Sequence, residues 1–171
     1  TTYEVARGST MAALTAASLV RRGERAVYAL CRPPGHHAEE SRMGGYCYFN
    51  NAAIAAEYLS TRGKVAILDI DVHHGNGTQN IFYSRSDVLF VSIHGNPDEL
   101  YPYFSGRDGE MGTGKGLGYN CNFPLPLGTS DIAYDRALLA GIKKIRAYAP
   151  KYLIISLGYD AHINDPIGKF K

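Results

Sequence analysis

Val65-Ala66-Ile67-Leu68-Asp69-Ile70-Asp71-Val72-His73-His74-Gly75-Asn76-Gly77 is the stretch whose reading decides the fold. It opens on an apolar run and closes on two glycines. That pattern predicts a buried strand over Val65 to Ile70 that runs out into a tight turn. Side chains alternate along a strand, so Asp69, Asp71 and His73 are expected on one side. His74 then points the other way, toward packing or hydrogen bonding behind the sheet. Two carboxylates and an imidazole on one face are costly to bury without a partner. A divalent cation is the simplest partner, because Asp oxygen and His nitrogen are zinc-type ligands. A strand end that is merely wet is the alternative. The stretch contains no Lys or Arg, as a solvated edge would, which speaks for the metal.

Working outward, residues from about Glu4 to Arg22 read as an Ala- and Leu-rich helix stopped by Gly23. Ala26 to Leu30 reads as a short buried strand, and Arg32 to Gly45 as a loop broken by Pro33-Pro34-Gly35 and Gly44-Gly45. Asn51 to Leu59 has helical spacing, with Ile54 and Tyr58 on one face. Thr78 to Tyr83 is a short helix and Val88 to Ile93 another strand. His94 to Gly128 is a long Gly- and Pro-rich crossing, and such connections are usually functional or mobile. Its glycine run, Gly112 to Gly118, leads into Tyr119 to Phe123, which reads as extended. A phosphate-binding loop would lead into a helix, so the run is taken as turns. Ser130 is placed to cap a helix reaching Pro150, with Leu138, Ile142, Ile145 and Ala149 on one side. Tyr152 to Leu157 is the last strand.

Strands and helices therefore alternate, which predicts an α/β fold with a mainly parallel sheet. Ligands bind at the carboxyl ends of such strands. The polar clusters fall there: His36-His37, Asp69 to His74, Ser92 to His94, and Tyr159 to His162.

The 171 residues suit one domain, and a net charge of +2 from scattered Lys and Arg excludes a nucleic-acid argument. Cys31, Cys47 and Cys121 are odd in number and far apart. Neither a disulfide framework nor a thiolate zinc site is expected, and a reducing, cytoplasmic compartment fits. No stretch is long enough to cross a membrane. The mildly apolar Ala12 to Val20 is followed, not preceded, by Arg21-Arg22, the reverse of a signal peptide. The chain starts without Met and stops just after a Pro-Ile-Gly turn, so both ends are expected to be cuts.

Asp71, His73 and Asp160 are the expected metal ligands, with a fourth position open for catalysis. His36-His37 suits proton handling, one ring as base and one as acid. Asp69 is expected to orient one of these rings and Asn76 the other. His94 and His162 carry no assigned role. Cys47 is expected to be a buried, inert thiol. Tyr46, Tyr48, Phe49, Tyr101, Tyr103 and Phe104 offer aromatic walls for a narrow slot, or plain core. No GxSxG nucleophile motif is present.

Four motifs, in order, resemble the histone deacetylase superfamily. They are Arg32-Pro33-Pro34-Gly35-His36-His37-Ala38, Gly45-Tyr46-Cys47-Tyr48-Phe49-Asn50-Asn51-Ala52, Asp69 through Gln79, and Gly158-Tyr159-Asp160-Ala161-His162 with Asp165-Pro166. His94 to Gly106 and Asn120 to Thr129 are more similar to the acetylpolyamine amidohydrolase branch. The resemblance implies the arginase–deacetylase fold, a three-layer α/β/α sandwich around a mainly parallel sheet, incomplete at both ends here. It implies zinc, with ferrous iron as the alternative, on Asp71, His73 and Asp160. It also implies His36 and His37 as the proton-transfer pair, with Asp69 and Asn76 behind them. Tyr46 and Tyr101 would flank a substrate tunnel. A structural potassium would use Asp69, Asp71, His73, Ser92 and the Ile93 carbonyl. The dimanganese arginase branch needs carboxylates where Gly75 and His162 stand, so a single-metal site is implied.

The implied reaction is removal of acetyl groups from a small acetylated amine, here a polyamine, by metal-activated water. A homodimer is open to the full-length protein. The family's transition-state tyrosine lies in a downstream Gly-rich loop that these residues do not match. A tyrosine hydrogen bond to a developing oxyanion is worth ~3 kcal/mol, so the chain alone is expected to be a weak catalyst or none. Two other readings stand beside this one. The first is a lysine deacetylase acting on proteins. The second is a non-catalytic fragment that binds a metal or a partner.

Overall fold

The computed structural model describes residues 1–171, with four helices and one four-stranded sheet. Helix α1 spans Thr2–Arg21 and α2 spans Asn51–Ser60. Strand β1 is Val65–Asp69, α3 is Asn76–Phe82 and β2 is Val88–Gly95. Strand β3 is Asn120–Leu125, α4 is Asp131–Tyr148 and β4 is Tyr152–Ser156. The strand order is β3-β2-β1-β4 and every pairing is parallel. All carboxyl ends therefore lie along one rim, as the alternation of elements predicts.

Alternation across β1 and β2 builds two cores. Val65, Ile67, Val88 and Phe90 pack with Ala13, Ala17, Ala53, Ala56 and Leu59 from α1 and α2. Ala66, Leu68, Leu89, Val91 and Ile93 pack with Ala137, Ile145 and Tyr148 of α4. Both strands are buried along their whole length, so each reads as a continuous apolar run. Helix α1 is held by a Thr1 and Glu4 capping box. It presents Ala6, Ser9, Ala13 and Ala17, small enough for close approach to α2. The buried stripe of α4 is Ala137, Gly141, Ile145 and Tyr148, one position off the expected row. Gly141 sets how near α4 comes, since a Cβ there would lie 2.9 Å from Val91 Cγ1. Ser130 stands at the N-cap position but makes no side-chain capping bond.

One expectation is corrected, and the segment read as extended over Tyr119 to Phe123 proves to be a strand of the sheet. Ala26 to Leu30 is not a buried strand: it makes no ladder bonds, and Tyr28 and Leu30 are exposed. It runs beside β4 across a groove of about 550 Å³ lined by Ala17, Leu30, Ala55 and Ile155. Apolar composition alone did not supply a hydrogen-bonding neighbour, which a strand requires. The fourth strand is instead β3, inside the Gly-rich crossing. Its inward face is polar: Asn120 and Asn122 are buried and both donate to Gln79 Oε1 at 2.8 Å. An apolar-run criterion passes over such a strand, and Pro124 is tolerated because β3 is an edge. The glycine run is a turn, with a 3₁₀ turn at Gly114–Gly116 whose Thr113 N–H donates to the Tyr83 carbonyl at 2.8 Å. No helix is long and apolar enough to cross a membrane, and all three cysteines are free.

Gly141→Leu should force α4 away from Val91, a stiff β-branched neighbour. Overpacking of this kind costs about 1–3 kcal/mol. A chemical-denaturation midpoint equal to that of the unsubstituted protein would contradict the packing described here.

Candidate metal centre

Strand β1 ends at Asp69, and residues 71–73 are bends rather than strand. Strand alternation therefore does not place the ligands, contrary to expectation. Two side-chain-to-backbone turns do. Asp69 Oδ1 accepts the Asp71 N–H at 3.2 Å, and Asp71 Oδ1 accepts the His73 N–H at 2.8 Å. Asp residues hold tight turns in this way. Asp160 arrives from the loop after β4, where its Oδ1 accepts the Val72 N–H at 2.9 Å. That bond stitches the two loops together across parallel neighbours β1 and β4.

The result is a cluster around His73. Its Nδ1 lies 3.0 Å from Asp71 Oδ1 and 2.9 Å from Asp160 Oδ2. Asp71, His73 and Asp160 each offer one ligand atom, all within 4.8 Å of one another. Hydrogen bonds from Asp160 and Asp71 outweigh burial and lift His73 to about 10. The two carboxylates thus favour positive charge in the space between them. Burial opposes ionisation of Asp71, but His36 and His73 hold it well below the usual carboxylate range. Gly158 leaves room for the group: a Cβ there would lie 2.2 Å from Asp71 Oδ2 and 2.9 Å from Asp160 Oδ1. Oxygen, nitrogen and oxygen donors in this arrangement fit a zinc-type ion. The side chains are about one-fifth exposed, 21% for Asp71 and Asp160 and 19% for His73. Water and substrate can therefore reach the site.

The histidine pair lies beside the triad, with ring centroids 4.0 Å apart. Its loop is gripped from below. The Gly77 and Thr78 N–H groups at the start of α3 donate to the His36 carbonyl at 3.0 and 3.2 Å. Asn50 caps α2 and also donates to the Ala38 carbonyl and to Thr78 Oγ1, at 3.1 Å each. His36 Nδ1 meets Asp69 Oδ2 at 2.9 Å, and its Nε2 is 3.9 Å from Asp71 Oδ1. His37 Nδ1 meets Asn76 Oδ1 at 2.7 Å. Asp69 and Asn76 thus each stand against one of the two rings.

Burial alone would lower His36, but Asp69 and Asp71 outweigh it and raise it to about 9. Burial, then the neighbouring His36, press His37 down to about 3. Burial likewise raises Asp69 and pushes the Cys47 thiol up to about 12, as an inert core cysteine requires.

Tyr101 packs edge-on against His37, with ring centroids 4.8 Å apart, while Tyr46 is 87% exposed. Of the two expected tunnel residues, only Tyr101 lies against the histidines. Asp69 and Ser92, both expected at a potassium, pair in the β1–β2 register, with Ile93 next along β2. Ser92 Oγ is 2.8 Å from His94 Nδ1. His74 is fully buried, its Nδ1 3.1 Å from Ser105 Oγ, which is the packing role expected of it. His162 is exposed on the loop after β4. The sequence reading missed Asn50 and Glu39. Asn50 carries a helix-cap signal, whereas nothing in the local pattern marks Glu39.

A parallel sheet with an Asp–His–Asp cluster and paired histidines on its carboxyl rim defines an α/β protein whose rim could hold a metal ion. The profile of the histone deacetylase domain matches residues 1–171. The chain belongs to the histone deacetylase domain family. Acetylpolyamine amidohydrolase 2 of Pseudomonas aeruginosa is 54% identical over 99% of this chain and 50% of its own length. Acetylpolyamine amidohydrolase of Burkholderia pseudomallei is 52% identical over 96% of this chain and 49% of its own. The crystal structure of the acetylpolyamine aminohydrolase from Burkholderia pseudomallei superposes with a TM-score of 0.93 at 52% identity, covering 95% of this chain and 48% of that one. The fold is accordingly that of the arginase–deacetylase group. The chain spans about half the length of the curated relatives it matches.

Gly158→Ala should drive its new methyl group into Asp71 and Asp160 while leaving β4 paired. Disturbing the supports of a metal ligand typically costs 10–100-fold in affinity. Equilibrium dialysis with zinc should show that loss with an unchanged circular-dichroism spectrum; unaltered zinc retention would refute the cluster as the binding site.

Proposed function

We propose that the chain carries the metal-binding and proton-transfer part of a zinc-dependent amidohydrolase that removes acetyl groups from acetylated polyamines. The 171 residues are, on this reading, part of a longer deacetylase domain, active in the cytoplasm. One observation carries the proposal. A three-ligand Asp71–His73–Asp160 cluster stands beside two histidines whose surroundings push their proton affinities in opposite directions. Its likeness to proteins named acetylpolyamine amidohydrolase supplies the substrate class.

When bound, the ion supplies Lewis acidity that polarises the acetamide carbonyl and makes water a nucleophile near neutral pH. The rest falls to the chain. His37 enters unprotonated at Nε2, because Nδ1 donates to the Asn76 amide oxygen. It accepts the proton of the attacking water and returns it to the amine that leaves, with acetate as the other product. His36 keeps its Nδ1 proton toward Asp69 and sets positive charge beside Asp71, where negative charge grows during attack. Tyr101 covers one side of His37 and excludes water from it. Asp69, Asp71, His73, Ser92 and Ile93 are the proposed potassium-binding set, a stiffener under the same loop.

Two experiments test this. In the full-length protein, Asp160→Ala should abolish zinc retention. His37→Ala should keep zinc and lose turnover by ~10²–10⁴-fold. Stoichiometric zinc with full turnover in the His37 variant would overturn its role, and zinc without turnover in the parent protein would favour a binding module. Second, kcat/KM for an acetylated polyamine should exceed that for an acetyl-lysine peptide by at least about tenfold, a difference of ~1.4 kcal/mol in transition-state stabilisation. A preference for the peptide would replace the polyamine reading with a protein deacetylase.

A further inference from the structure

His37 has a partner behind its partner. Asn76 is 5% exposed at the first position of α3 and spans the gap between the ring and a carboxylate. Its Oδ1 is 2.7 Å from His37 Nδ1. Its Nδ2 is 3.0 Å from Glu39 Oε1 and 3.5 Å from the His37 carbonyl oxygen. Glu39 makes no ion pair: the Arg ion pairs of the chain go to Glu57, Asp87 and Asp98. Asn76 is the one side chain that hydrogen-bonds to it. Glu39 is itself anchored, its N–H donating to the Arg42 carbonyl at 2.9 Å.

The two ends of an amide are nearly the same size and opposite in chemistry. With Oδ1 toward His37, the ring must donate from Nδ1, and Nε2 keeps a lone pair. With the amide turned over, an NH₂ faces the ring. Nδ1 then has to accept, and in the neutral ring the proton moves to Nε2. The turn would convert a proton acceptor into a proton donor at the working atom. Nothing in the size of Asn76 forbids it. Its other end does: a turned amide would set Oδ1 against a carboxylate and a carbonyl, neither of which can donate.

We propose that Glu39 is a positioning residue that sets the tautomer of His37 by fixing which end of the Asn76 amide faces the ring. The loss of one hydrogen bond to a charged group shifts such an equilibrium by roughly ten- to hundredfold. That is enough to keep Nε2 free in nearly every molecule. A carboxylate in place of the Asn76 amide would need no such lock, because both of its oxygens accept. The catalytic meaning of the lock rests on His37 being the base; the tautomer itself does not.

The test uses the zinc-loaded full-length protein labelled with ¹⁵N in histidine. Long-range ¹H–¹⁵N spectra separate a protonated ring nitrogen from an unprotonated one. The parent protein should show His37 protonated at Nδ1 only. Glu39→Gln can face Asn76 with either an NH₂ or an oxygen, and Glu39→Ala with neither. Both should show a mixed tautomer, with kcat lowered in proportion to the Nδ1-protonated fraction that the spectra show lost, and KM little changed. Repeated in an Asn76→Asp background, Glu39→Gln should leave Nδ1 protonated and cause no further fall in kcat. An unchanged Nδ1 tautomer in both single variants, with thermal unfolding like the parent's, would overturn the proposal. A loss on Glu39→Gln that is equal in the parent and in the Asn76→Asp background would also overturn it, since it would mean that Glu39 merely shapes the loop. The spectra are readable whether or not the protein hydrolyses acetylated amines, so failure of the functional reading is seen separately as absent turnover in the parent.

Discussion

Two carboxylates pressed against one imidazole nitrogen set the terms for this structure. Asp71 and Asp160 approach His73 Nδ1 to about hydrogen-bond distance from opposite loops. Without positive charge between them, such a cluster is unfavourable in a partly buried place. Several features of the rim exist to let these groups meet. The Val72 N–H ties Asp160 across the sheet. Gly158 gives up a side chain where one would strike both acids, and Gly75 does the same where a Cβ would lie 2.4 Å from Asp69 Oδ2. The parallel sheet supplies the platform, since only parallel neighbours deliver β1 and β4 loops to the same edge.

The two adjacent histidines show how surroundings, not residue type, assign chemistry. Asp69 and Asp71 outweigh burial and raise His36 to about 9, whereas burial and the neighbouring His36 press His37 down to about 3. Titratable groups pushed apart in this way are a usual mark of a site that moves protons. Substituting an amide for a carboxylate behind His37 carries a cost in ambiguity, because an amide has two unlike ends. Glu39 removes the ambiguity. The loop from Arg32 to Gly45 therefore supplies both proton-handling rings and the acid that disciplines one of them.

Much of this was legible in the chain itself. The apolar run before Asp69 marked β1, because a strand buried on both faces leaves a continuous apolar signature. The nearness of Asp71, His73 and Asp160, and the placing of Asp69 and Asn76 behind the histidines, could be read from residue chemistry at strand ends. One element could not, and another only in part. Ala26 to Leu30 has strand composition but no partner beside it. Asn120–Leu125 has a partner but hides its strand character behind buried asparagines satisfied by Gln79. Composition reports what a segment would bury, whereas strand identity depends on what lies next to it.

By itself, the sequence determined the helices and the three apolar strands, the rim on which polar residues collect, and the kinds of side-chain donor atom available. These follow from local patterns of two and of 3.6 residues and from side-chain chemistry. Only the tertiary structure decided that Asp71 and His73 are turned inward by side-chain capping of a bend rather than by strand alternation. Only it decided that Tyr101, and not Tyr46, stands over His37, and that Glu39 holds Asn76. Such contacts join residues far apart in the chain: Asn76 and Glu39 are 37 positions apart. No periodicity encodes them, because they depend on the angle at which one loop meets another.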